Sequence, residues 1–114
     1  MAIKITEETH DRVTLSAADD TAILKGEIDV AKPGNILDPF FDKIKDQMGE
    51  QVRLDFTNLD FLNSSGIKCI VSFVMGKEPG SKVVFVVDGN KTWQETSLEV
   101  IQSLDEDNIS IEKG

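Results

Sequence analysis

The stretch Val52-Arg53-Leu54-Asp55-Phe56-Thr57-Asn58-Leu59-Asp60-Phe61-Leu62-Asn63-Ser64-Ser65-Gly66-Ile67-Lys68-Cys69-Ile70 decides how the rest of the chain is read. Val52 to Phe56 alternates apolar and polar side chains, the period of a half-buried strand. Ile67, Ile70, Val71 and Val74 then recur at the spacings of one helix face. A strand therefore runs into a short loop, and the loop delivers Ser64, Ser65 and Gly66 to the start of a helix. The first N–H groups of a helix have no partner within it, and the helix dipole adds partial positive charge there. A phosphate carried on a serine would be stabilised at such a place. A plainer role is open as well: Ser64 or Ser65 as the N-cap, its hydroxyl accepting from a first-turn N–H.

Upstream, Ile3 and Ile5 alternate with Lys4 and Thr6 as a first strand. Val13–Ala17 and Thr21–Lys25 alternate likewise, and Asp19-Asp20 supplies turn residues between them, which predicts a hairpin. Lys25-Gly26-Glu27-Ile28-Asp29 is read as the loop leading to the first helix. Asp38-Pro39 predicts that helix's start, an N-cap acceptor followed by proline at the first helical position, with Asn35 as an earlier alternative. Leu37, Phe40, Phe41, Ile44 and Met48 trace its buried face, and Gly49 is placed to end it.

Downstream, the second helix is predicted to reach Met75, where Gly76 and Lys77-Glu78-Pro79-Gly80 break it. Val83-Val84-Phe85-Val86-Val87 is an unbroken apolar run, as in a strand covered on both faces. Asp88-Gly89-Asn90 is a turn or loop, and Thr92 and Glu95 then stand at the spacing of a capping box. Trp93, Ser97, Val100, Ile101 and Leu104 predict the buried side of this third helix. Asp105-Glu106-Asp107 reads as a solvated loop, and Asn108–Glu112 as a last strand. The order predicts a single α/β domain over 1–114. Its mixed sheet has an N-terminal hairpin and parallel later strands, with the helices mainly on one face.

Composition narrows the function. At 114 residues, with 39% apolar and 29% charged residues, the chain has a globular composition and length enough for a core without disulfides or metal. Twelve basic against twenty-one acidic residues give a net charge of −9, which argues against nucleic acid or an anionic membrane as a partner. The single cysteine, Cys69, excludes an internal disulfide and reads as a small core residue. Met1–Glu8 has no leader pattern and no window reaches the ~20 apolar residues of a membrane span, so a cytoplasmic protein is expected.

The residues from Asp55 to Ile67 resemble the signature of STAS domains, the anti-sigma-factor antagonist family. In that family a strand ending in Leu-Asp leads to Asp-Ser-Ser-Gly-Leu and a helix. Lys25-Gly26-Glu27-Ile28-Asp29 resembles the Gly-Glu-Leu-Asp segment ahead of the family's first helix. The order of elements agrees over nearly the whole chain. The family usually has Asp where Asn63 stands, often a small residue at Lys68, and an aliphatic one at Cys69. The resemblance implies that Ser65 is phosphorylated by a partner serine kinase, which also acts as an anti-sigma factor, and dephosphorylated by a PP2C-type phosphatase. Ser64 is the second choice of acceptor. Gly26, Glu27, Asp29, Asn63, Ser64, Ser65, Gly66, Ile67 and Lys68 are the implied docking residues, on a monomer or weak dimer. A non-switching STAS module that binds a protein or a small ligand stays open beside it.

Enzyme chemistry finds little footing. A serine nucleophile needs a base in reach, and the only histidine, His10, lies in a polar N-terminal segment. No G-x-S-x-G elbow, phosphate-cradling loop or dinucleotide glycine pattern occurs. One His, one Cys and scattered carboxylates suggest no metal and no cofactor. A receiver-type acceptor at Asp55 is set aside because it is read as lying inside its strand and lacks an acidic pair after an earlier strand.

Overall fold

The computed structural model describes residues 2–114; of the N-terminal segment considered above, Met1 lies outside them. The chain runs β1 (Ile3–His10), β2 (Val13–Asp19), β3 (Thr21–Ile28), α1 (Gly34–Gln47), β4 (Gln51–Asp55), β5 (Leu59–Leu62), α2 (Ser64–Gly76), β6 (Lys82–Val87), α3 (Thr92–Gln102) and β7 (Ile109–Lys113). One sheet has the order β1-β2-β3-β4-β6-β7, with β5 paired to β3 off that path. β1, β2 and β3 form an antiparallel meander, and every later pairing is parallel. This is the mixed α/β sheet that the strand and helix order predicts. Parallel neighbours occur where a helix or long crossover intervenes.

Three segments read as loop or polar chain are strand. β1 continues past Thr6 to His10 because β2 pairs with its polar half, Thr9 opposite Thr14 and His10 opposite Val13. β3 continues through Ile28, and Leu59–Leu62 is β5. These two hold each other in strand form by parallel pairing, Glu27 opposite Phe61 and Ile28 opposite Leu62. Neither has a length or alternation that would reveal it alone. The first half of β3 pairs instead with β4, Thr21 opposite Arg53. The turn at Asp19-Asp20 forms as expected, with Asp19 at φ 57 in the left-handed region that Asp tolerates better than most residues.

α1 begins at Gly34, ahead of both predicted starts, so Pro39 lies inside the helix and Asp38 is not its cap. The proline that serves the helix start is Pro33, at φ −64 and ψ −19, whose carbonyl accepts from the N–H groups of Ile36 and Leu37. Its fixed φ is already helical and its missing N–H is not needed there. Pro39 falls early enough to cost only one intrahelical bond. The helix stops at Gln47: Met48, expected on its buried face, turns extended (ψ 149) and is half-buried beyond it, one residue before the Gly49 expected to end it. Leu37, Phe40, Phe41 and Ile44 are buried, as their spacing predicts.

A single cluster of buried residues joins all three helices to one face of the sheet. Ile70, Phe73 and Val74 of α2 lie in it with Leu15, Leu24, Leu54 and Phe85 of the strands. On the opposite face Arg53 bonds Glu112 at 2.6 Å, and this bond holds the Glu112 carboxyl below the usual carboxylate range. β6 is buried on both faces, Val84 at 6% and Val86 at 8% exposure, as its unbroken apolar run implies. α3 differs from its sequence reading: Gln94, Leu98 and Ile101 are buried, while Val100 and Leu104 are exposed. Its buried face is rotated by about one residue, because a polar side chain, Gln94, occupies the deepest position.

Candidate functional site

The pairing of β3 with β5 brings Gly26–Asp29 and Asn63–Lys68 out side by side at one end of the sheet. Asn63 stitches them together. Its N–H donates to the Ile28 carbonyl at 3.0 Å, and its Nδ2 donates to the Val30 carbonyl at 2.8 Å. Its Oδ1 accepts from the Gly66 N–H at 2.8 Å, and its own carbonyl accepts from the Ile67 N–H at 3.0 Å. Asn63 is therefore the N-cap of α2, and neither Ser64 nor Ser65 has the capping role considered for them. The serines come one step later, as the first two helical residues, and both side chains are exposed. With Gly66 and Ile67 bonded back to Asn63, the first-turn N–H groups left without a helical partner are those of Ser64 and Ser65.

Gly66 is buried, and its lack of a side chain sets how closely the helix approaches the sheet. A Cβ there would stand 2.5 Å from Leu62 Cδ1 and 3.1 Å from Ile28 Cγ2. Ile67 is half-buried against the core, and Lys68 is exposed one turn beyond Ser65. Of the residues the resemblance implies, then, Ser64, Ser65, Lys68 and Asp29 offer exposed side chains. Asn63 and Gly66 build the helix start, and Ile67 is half in the core.

Gly26 adopts φ +97, and a Cβ on it would sit 2.0 Å from the Arg12 carbonyl oxygen. That conformation lets its N–H reach the Asn58 carbonyl at 3.0 Å, while the Glu27 N–H reaches Arg12 O at 3.0 Å. The Glu27 carboxylate also pairs with Arg12 at 3.2 Å, and its hydrogen bond raises the Arg12 pKa. Glu27 is thus already engaged, and Asp29 is the freer carboxylate of this segment.

Cys69 is buried beside α1. Burial first, then the charge and hydrogen bond of Asp38, push its thiol up from 9.0 to about 11, so it stays protonated and is a poor nucleophile at neutral pH. Asp55 ends β4, one step from the mid-strand position read for it, and its Oδ1 is taken by the Thr57 N–H and hydroxyl at 2.9 and 2.6 Å. Among the described residues no group of three or more His, Cys, Asp or Glu is arranged to hold a metal ion, and no helix is long and apolar enough to cross a membrane.

One structural support of the β4–β5 corner escaped the sequence reading. Gln94, fully buried, donates through Nε2 to the carbonyls of Phe56 and Leu59 at 2.6 and 2.8 Å and accepts from the Asp88 N–H at 2.9 Å. Lys91 adds a bond to the Thr57 carbonyl at 2.7 Å. Together they anchor the β4–β5 corner, and so the approach to the serines, onto α3. The signal available was the spacing of Gln94 with Leu98 and Ile101, which places a polar side chain on the apolar face. Asp88, bonded by the Asn90 N–H and then by Lys91, has its carboxyl held below the usual range.

Among solved structures the chain is similar to an anti-sigma factor antagonist from Mycobacterium paratuberculosis, with a TM-score of 0.62 and 18% sequence identity over 91% of this chain and 82% of that one. The shared feature at that identity is the fold, and the chain has the fold of that antagonist. No protein-family model and no curated protein matches the chain.

Proposed function

We propose that the protein is a regulatory, non-enzymatic phosphoswitch of the anti-sigma-factor antagonist kind, with Ser65 as the residue modified. The observation that carries this is the division of labour at the start of α2. Asn63 does the capping, and Ser65 is left exposed at the helix N-terminus with unpartnered N–H groups beside it. Unmodified, the surface around Ser64, Ser65, Lys68 and Asp29 docks on a cytoplasmic serine kinase that is also an anti-sigma factor. Phosphorylation adds about −1.5 to −2 charge and three acceptor oxygens. The helix N-terminus and Lys68 stabilise the new charge, so the fold is kept. The partner, matched to an uncharged serine, is released by repulsion and bulk. A PP2C-type phosphatase resets the site. Asn63 suits this role, since an amide caps the helix without setting a second negative charge beside the phosphate.

The test is phosphate transfer from ATP by candidate serine kinases of the source genome. Wild type takes up phosphate and Ser65→Ala does not, while still binding the kinase. Ser65→Glu weakens that binding at least tenfold. Phosphate uptake by Ser65→Ala contradicts the assignment and moves the acceptor to Ser64 or elsewhere. Indifference of binding to Ser65→Glu favours a non-switching interaction module.

A further inference from the structure

We infer that the apolar face between α2 and α3 docks an amphipathic helix of a partner protein, with basic residues meeting the acidic end of that face. This goes beyond the serine switch and does not depend on it. α2 packs on α1 through one flank, where Phe73 stacks on Phe41 at 4.9 Å. α3 is held to β7 through one flank, by Glu95 to Lys113 at 3.6 Å and by Gln102 to the Ile109 carbonyl at 3.2 Å. The two remaining flanks are turned toward each other over the sheet, and the backbones of α2 and α3 approach less closely than those of α1 and α2.

Both of these flanks are apolar. Ile67, Val71 and Met75 recur every four residues on α2; Trp93 and Val100 stand on α3, and Leu104 follows just past its end. Ile67, Val71 and Trp93 rest on the core, and Met75, Val100 and Leu104 carry the apolar surface outward at 65%, 66% and 51% exposure. Single exposed apolar side chains are ordinary, but a row on two facing helices, continuous with the core, has the pattern of an interaction site. An apolar row shared by two neighbouring helices suits a helix with anchors at i, i+3 or i+4, and i+7.

Charge selects the occupant. Lys77 pairs with Asp105 at 3.2 Å, which places the C-terminal ends of both helices at the same end of the face. Neither helix has a basic residue in its last turn, so the negative ends of two helix dipoles lie there. Exposed Glu106 and Asp107 add to that charge, the Lys77 ammonium is already engaged and buried, and the Lys82 ammonium is bonded to the Asp107 carbonyl and Asn108 Oδ1 at 3.1 and 2.9 Å. A second copy would bring an equal acidic end and another −9 of net charge, which disfavours a homodimer across this face. A helix with Lys or Arg at the matching end is complementary.

The probes are two synthetic helical peptides of about 14 residues, four turns, with the same leucine stripe. One carries Lys and Arg on its polar face, and the other carries Glu. Each is titrated into the isotope-labelled full chain and followed amide by amide by NMR. The basic peptide is expected to shift amides of 67–75 and 93–104 saturably, and the acidic one is not. Val100→Ser with Leu104→Ser weakens binding by about tenfold or more, since both side chains would be anchors. Glu106→Gln with Asp107→Asn weakens it by a smaller factor and flattens its salt dependence. These positions are exposed, so circular dichroism and melting of the variants stay as in wild type. Equal binding of the two peptides, shifts on another face, no saturable binding, or unchanged affinity in the Val100/Leu104 variant each overturns the inference. A dimer that this variant dissolves does so too, by giving the face to a second copy.

Discussion

The helices α2 and α3 both start at residues whose sequence suggests a side-chain cap, yet they are held by different means. At α2 the cap is local: Asn63 accepts from the Gly66 N–H three residues on. At α3 the expected Thr92–Glu95 box does not form. Lys91 precedes the helix without a side-chain cap, and Glu95 turns to Lys113. What fixes α3 is tertiary, the three hydrogen bonds of Gln94 to backbone just past β4, at the start of β5 and just past β6. The lesson concerns function. A locally capped helix start can spare its neighbouring serines for modification, while a helix start tied into the core has no such freedom.

Substitutions can break this contrast. The largest effect is expected at Gln94→Ala, which removes the three hydrogen bonds of this side chain to the Phe56 and Leu59 carbonyls and the Asp88 N–H and should cost about 3 kcal/mol in urea unfolding. Gly66→Ala comes next. Its Cβ must displace Leu62 Cδ1 from 2.5 Å, for about 2 kcal/mol, measured by the same unfolding curves. Asn63→Ala removes the cap and the bond to Val30 O and should cost about 1.5 kcal/mol. Asn63→Asp keeps the acceptor and loses only the donor, so it should cost less. Smallest is Thr92→Ala, within about 0.5 kcal/mol, where a working capping box would give about 1. If Thr92→Ala proves as costly as Asn63→Ala, the two helix starts are alike and the contrast fails.

Sequence patterns revealed the elements whose period is set by their own burial. The face of α1, the alternation of β2 and β4 and the apolar run of β6 all belong to this group. The place of Ser64 and Ser65 at a helix start was legible because Asn63-Ser64-Ser65-Gly66 is contiguous. Elements defined by a distant partner were not legible. β5 is a strand because β3 lies beside it, and the end of β3 is strand for the same reason. The start of α1 was misplaced because the chain has two prolines near it, and only backbone closure at Lys32 and Pro33 chooses between them. α3 was rotated because hydropathy ranks Val100 and Leu104 above Gln94. A glutamine with three backbone partners is as much a core residue as a leucine.

The most direct test of the central claim is phosphopeptide mapping of the protein taken from its native cells, beside a phosphatase-treated control. The account predicts phosphate on Ser65 that the phosphatase removes and that Ser65→Ala lacks. A peptide spanning Asn63 to Lys68 that stays unmodified through growth and stress, with phosphate absent or elsewhere, would contradict it.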